Sequence, residues 1–125
     1  MIIEDNLLNL ELVTDLLEAS GFNVRPAVTA EEGLRLAREC LPDVVLMDIS
    51  LPGMDGLRAT EILRADPLMQ NLTVIGVTAH AMKGDEEAAL RAGCDGYLTK
   101  PINTRTFATT VAQIMESAKA RRSSQ

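Results

Sequence analysis

A chain of 125 residues is one domain's worth of polypeptide, long enough to bury a real core, and its 46% hydrophobic and 24% charged residues are those of an ordinary globular protein. The formal net charge of -6 disfavours non-specific attraction to nucleic acid or anionic lipid, so no direct nucleic-acid binding is expected. Cys40 and Cys94 lack metal-like spacing, no leader peptide is visible, and no apolar run nears the ~20 residues needed to span a bilayer; the expectation is a cytoplasmic protein with reduced thiols and no membrane span.

Met1-Ile2-Ile3 reads as a short buried strand ending at Glu4-Asp5, and Asn6 is placed to cap a helix from Leu7 to Ser20. Three residues are few for a central strand, which is compatible with a start upstream of Met1. Leu10, Val13, Leu16 and Leu17 recur at helical spacing, and Gly21 supplies the stop. Phe22–Ala27 reads as a second strand, and Thr29-Ala30-Glu31-Glu32 as a capping box opening a helix to about Leu41.

Pro42 turns the chain into Asp43-Val44-Val45-Leu46-Met47-Asp48. Four consecutive apolar residues, two of them β-branched, cannot alternate between core and solvent, so both faces of this strand are expected to be covered. Pro52, Gly53 and Gly56 then mark a loop before a helix from about Leu57 to Ala65. Thr73–Val77 is a fourth apolar strand ending at Thr78, and Lys83–Glu87 leads into a short helix that closes near Gly93. Gly96–Thr99 is a fifth strand ending in Lys100-Pro101. Asn103 caps a last helix with Phe107, Val111, Ile114 and Met115 facing inward, and the chain is expected to fray beyond, with 1–119 as one domain and 120–125 as a short polar tail.

Five strands alternating with five helices imply an α/β fold, a doubly wound parallel sheet with right-handed crossovers and helices on both faces. In such a sheet every strand points its carboxyl end to the same edge, where open α/β folds bind their ligands. Glu4-Asp5, Asp48, Thr78 and Lys100 therefore converge although they are far apart in sequence. Carboxylates gathered this way repel, and a hard divalent cation such as Mg2+ relieves them with oxygen ligands and retained waters. A metal beside a lysine and a hydroxyl suits a phosphoryl group, and Asp48 could itself be the nucleophile that forms an acyl phosphate.

The stretches Ile-Ile-Glu-Asp-Asn at the start, Leu-Met-Asp-Ile-Ser-Leu-Pro-Gly-Met-Asp-Gly at 46–56, Val-Thr-Ala-His-Ala at 77–81 and Gly-Tyr-Leu-Thr-Lys-Pro at 96–101 together resemble a two-component response-regulator receiver domain, over nearly the whole chain. The run Ala-His-Ala-Met-Lys-Gly-Asp-Glu-Glu looks most like that of single-domain DivK-type regulators, and receivers of hybrid histidine kinases share it. The resemblance implies a flavodoxin-like fold with strand order 2-1-3-4-5. It implies that Asp48 accepts phosphate from a histidine kinase or phosphotransferase protein. Asp5, Asp48 and the backbone carbonyl of Ser50 would hold Mg2+, with Glu4 acting through water. Thr78 and Tyr97 match the family's switch pair, Lys100 its phosphate-binding lysine, and Pro101 its usual cis proline, while Ser50 and His80 would tune the phosphate lifetime. Output would pass to a downstream protein through the fourth helix, fifth strand and fifth helix.

Other readings weigh less. No G-x-G-x-x-G or G-x-x-x-x-G-K-[ST] follows the first strand, against dinucleotide and P-loop sites. An aspartate-based phosphohydrolase wants a second acid two residues after its nucleophile, where this chain has Ser50. A receiver cut from a hybrid histidine kinase remains the nearer alternative. Taken singly, Asp48 could open a turn, Thr78 close a strand and Tyr97 fill core; their placement together at the strand ends favours function.

Overall fold

The structure, a computed structural model, describes residues 1–4, 6–49, 56–78, 83–100 and 102–123. In chain order the elements are β1 (Ile2–Ile3), α1 (Leu7–Ala19), β2 (Pro26–Ala27), α2 (Ala30–Cys40), β3 (Val44–Asp48), α3 (Gly56–Ala65), β4 (Thr73–Thr78), α4 (Lys83–Ala92), β5 (Gly96–Thr99) and α5 (Phe107–Ser123). All strand pairings are parallel and the order is β2-β1-β3-β4-β5, the doubly wound arrangement expected.

β3 is buried at every residue, as its unbroken apolar run requires. Val45 and Met47 pack with Ala37 of α2, Ala59 and Leu63 of α3 and Ala89 of α4. Val44 and Leu46 face the opposite layer, against Val13 and Leu17 of α1 and Phe107 and Val111 of α5. Each fully buried aliphatic side chain contributes about 1.5–3 kcal/mol, so this two-sided burial is what holds the end of β3 in place.

The helix ends follow local chemistry. Asn6 Oδ1 accepts the backbone N–H groups of Leu8 (3.0 Å) and Asn9 (3.2 Å), capping α1. At its other end Gly21 adopts φ +94°, while Phe22 N–H donates to Leu17 O and Gly21 N–H to Glu18 O, both at 3.0 Å. Those two bonds use carbonyls that the helix end would otherwise leave unpaired. Thr29 Oγ1 accepts Glu32 N–H at 3.1 Å and caps α2.

Three boundaries differ from expectation by more than one residue. β2 is confined to Pro26–Ala27, because Phe22 N–H is committed to the α1 terminus and the two residues of β1 are all that β2 can pair with. α5 begins at Phe107: Asn103 Oδ1 takes the N–H of Arg105 (3.0 Å), which makes a preceding turn rather than the helix cap itself. The helix then runs on to Ser123 through most of the segment expected to fray, with Ala118 buried and Arg121 reaching Asp95.

That contact belongs to a polar cluster at the edge where the strands begin. Arg64, from α3, donates to the carbonyls of Gly93 (2.8 Å), Gln70 (2.8 Å) and Leu72 (2.6 Å) and pairs with Asp95 at 2.7 Å. Asp95 also accepts Val74 N–H at 2.9 Å and pairs with Arg121 at 3.2 Å. One planar guanidinium thus ties α3 to the starts of β4 and β5.

Candidate functional site

β1, β3, β4 and β5 end side by side, and the ladder sets their relative heights. Ile3 pairs with Met47, Asp48 with Val77 and Thr78 with Thr99. Glu4 and Asp48 therefore leave neighbouring strands at one level. Lys100 follows β5 directly, its N–H donating to Thr78 O at 2.7 Å.

The side chains converge as the register dictates. Lys100 Nζ donates to Glu4 Oε1 at 2.6 Å and to Asp48 Oδ2 at 3.3 Å. Glu4 and Asp48 are each only 5% exposed, and Thr78 2%, so the interaction is poorly screened by solvent. Beneath them lies a small cavity of about 20 Å3, lined by Glu4, Asp48 and Lys100 together with Asn9, Val13 and Phe107. Tyr97, on β5 opposite Gly76, is half-buried against the layer formed by α2, α3 and α4.

Among the described residues these two carboxylates share one ammonium, and the shifts of Glu4 and Lys100 reflect that imbalance. Burial, with the hydrogen bond and charge of Asp48 next to it, pushes the Glu4 carboxyl up to about 7 despite the opposing pull of Lys100. Burial alone would lower Lys100, but its bonds to Glu4 and Asp48 outweigh burial and raise it. Glu4 Oε2 is buried and has no hydrogen-bond partner among the described residues. A buried carboxylate oxygen without a donor, in a cluster carrying excess negative charge, fits a hard cation that takes oxygen ligands.

Asp5, Ser50, His80 and Pro101 lie outside the described residues, so no geometry is assigned to the expected metal ligation by Asp5 and the Ser50 carbonyl, to tuning by Ser50 and His80, or to the Pro101 peptide. Among the described residues no group of three or more His, Cys, Asp or Glu side chains could hold a metal by itself, and no helix is long and apolar enough to cross a membrane. The structure does bring Glu4, Asp48 and Lys100 into contact, and it puts Thr78 at the adjoining strand end, where its carbonyl accepts the Lys100 N–H. It places Glu4 in direct contact with Lys100, which strand-end reasoning did not reveal: convergence at an edge does not say which acid the ammonium will choose. Asn9 also lines the site, in the first turn of α1, with no distinguishing sequence signal beyond its position.

Residues 1–112 match the response regulator receiver domain family. The polar-differentiation response regulator DivK of Brucella ovis is 46% identical over 118 residues, covering 94% of this chain and 96% of that protein. DivK of Brucella abortus gives the same figures. Among solved structures, a putative response regulator from Chloroflexus aurantiacus superposes with TM-score 0.88 at 30% identity, covering 92% of this chain and 94% of the other. The receiver domain of sensor histidine kinase PA1611 from Pseudomonas aeruginosa, determined with a magnesium ion coordinated in its active-site cleft, superposes with TM-score 0.84 at 30% identity and the same coverage.

Proposed function

The chain belongs to the response regulator receiver domain family, and from that premise we propose that it is a phosphorylation-dependent switch whose phosphoacceptor is Asp48. The observation that carries this reading is the Lys100 ammonium held between Glu4 and Asp48, at 2.6 and 3.3 Å, on the edge where four strands end. An oxygen of Asp48 attacks the phosphorus of a phosphohistidine on a histidine kinase or phosphotransferase protein. The new O–P bond forms as the P–N bond breaks, and the departing imidazole keeps the electron pair. Mg2+, when bound, offsets the negative charge of the carboxylates and the phosphoryl group.

Asp5, Asp48 and the Ser50 carbonyl are the proposed holders of that ion, with Glu4 contributing through water. Lys100 supplies a cation for a phosphoryl oxygen, and Thr78 a hydroxyl. Buried apolar residues behind Asp48 keep its carboxylate where the attacking geometry needs it. With phosphate in place Thr78 moves towards it, Tyr97 turns inward, and the surface of α4, β5 and α5 changes its affinity for a downstream protein. Ser50 and His80 flank the phosphoryl group and set how long it lasts.

The test is intact mass after incubation with Mg2+ and a small phosphodonor. Wild type should gain one base-labile phosphoryl group, and Asp48→Asn none; an Asp48→Asn variant that gains it equally well would sink the assignment. Lys100→Ala should still accept phosphate while partner affinity ceases to respond to it. An unchanged affinity response in that variant would remove Lys100 from the coupling.

A further inference from the structure

Helix α3 starts in direct contact with the strand end that carries Asp48. Gly56, its first residue, is buried, and its N–H donates to Ile49 O at 3.1 Å. Its own carbonyl accepts Thr60 Oγ1 at 2.8 Å. A Cβ on Gly56 would overlap the Asp48 carbonyl oxygen, and would lie 2.7 Å from Ile49 Cα and 3.0 Å from the Asp48 carbonyl carbon. All three are backbone atoms, so no side-chain rotation can make room. Glycine is needed here for the absence of a Cβ, not for a special φ.

Something would have to shift, and the surroundings decide what. β3 is held by its ladder with β4, continued by Ile49 N–H donating to Val77 O at 2.9 Å. α3 is held by its buried residues Ala59, Thr60 and Leu63 and, at its far end, by the four bonds of Arg64. Of these anchored elements, the Asp48–Ile49 peptide is the part a new methyl group would touch, so accommodating it strains the Ile49 N–H to Val77 O bond and shifts that peptide. Its displacement moves the Asp48 carboxylate relative to Lys100 Nζ, now 3.3 Å away.

We propose that Gly56 is a positioning residue for phosphoryl transfer: by bearing no side chain it lets α3 seat against the Asp48–Ile49 peptide and so sets the place of the acceptor carboxylate. This rests on the reading of Asp48 as phosphoacceptor. Gly56 touches neither phosphate nor metal in this account and acts only through the backbone of Asp48.

The experiment compares wild type, Gly56→Ala and Gly21→Ala. Gly21 lies at the far edge with φ +94° and nothing within 4 Å of an added Cβ, so alanine there costs stability through backbone strain alone. Thermal midpoints are recorded, and phosphorylation by acetyl phosphate is followed by intact mass at saturating Mg2+ and donor, with trimethylamine N-oxide added to keep every variant folded. The maximal rate of folded Gly56→Ala should fall about 10- to 100-fold, the scale expected for misplacing a reacting group by up to 1 Å. Gly21→Ala should stay within about twofold of wild type, its loss of stability notwithstanding. Gly56→Ala reacting as fast as wild type would overturn the proposal alone, as would rates falling in both variants in proportion to lost stability. A Gly56→Ala chain still unfolded in the osmolyte would overturn it too, by showing that the contact serves the whole fold. A wild type that takes no phosphoryl group would overturn the reading of Asp48, and the proposal with it.

Discussion

The two edges of the sheet handle buried charge in opposite ways. Where the strands begin, Asp95 is surrounded by donors: two guanidinium groups and the Val74 N–H, with Arg64 also satisfying three carbonyls. Where the strands end, Glu4 and Asp48 share one ammonium and Glu4 Oε2 has no partner among the described residues. The first arrangement spends its charges on joining α3, β4, β5 and α5. The second leaves negative charge over, which costs stability in the resting state and creates a demand that a cation and a phosphoryl-lysine contact can meet.

The largest effect should come from breaking the satisfied edge. Arg64→Met leaves three carbonyls and Asp95 short of donors and should lower stability by about 3 kcal/mol, roughly 10 °C in thermal midpoint, while the folded fraction still accepts phosphate at the wild-type rate. A change of only a degree or two would show that the cluster is peripheral. Next comes Lys100→Met at the other edge, which leaves two carboxylates together. In metal-free buffer at pH 8 it should cost about 2 kcal/mol, and added Mg2+ should restore more stability to it than it adds to wild type. Equal gains for both proteins would deny that cation and lysine relieve the same charge.

Proton linkage gives a smaller and more diagnostic effect. Glu4 titrates near 7 in the folded chain against 4.5 without the fold, so the folded state binds its proton more tightly. In chelator, wild type should therefore gain stability as pH falls from about 8 through 7 towards 4.5, and lose that gain as pH rises again. Glu4→Gln should flatten this part of the profile and be the more stable protein at pH 8. The raised Lys100 works in a separate window: its contribution persists below 10.5 and is lost only above it. Smallest should be Thr29→Ala, which removes the cap of α2 for about 1 kcal/mol and leaves phosphorylation untouched, separating ordinary structure from the reactive cluster.

How far the sequence reached depended on whether a feature was periodic or relational. The β3 run, the alternation of strands and helices and the Asn6 and Thr29 caps are local patterns, and the structure has them where they were expected. Contact of Glu4 and Asp48 with Lys100, next to the strand end at Thr78, followed from parallel topology, since strand ends must share an edge. The choice of Glu4 Oε1 as the closer partner of Lys100 depends on side-chain reach across 96 residues of separation, which no spacing encodes. Arg64 likewise reads as an ordinary helix-surface arginine until Gly93 and Asp95 are brought beneath it. Gly56 looks like loop punctuation, and only packing reveals that its missing Cβ leaves room for the Asp48 carbonyl. β2 is shorter and α5 longer than their sequences suggest, because strand length depends on the partner strand and helix length on distant anchors such as Asp95.

The most direct measurement of the central claim is transfer from a phosphohistidine protein. A radiolabelled histidine phosphotransferase domain is mixed with this chain in Mg2+, in chelator, and in Mg2+ with Asp48→Asn. Label should leave the donor rapidly and appear on wild type in Mg2+, with little transfer in the other two arms. Label reaching Asp48→Asn as fast as wild type, or reaching wild type equally fast without the metal, would contradict the claim.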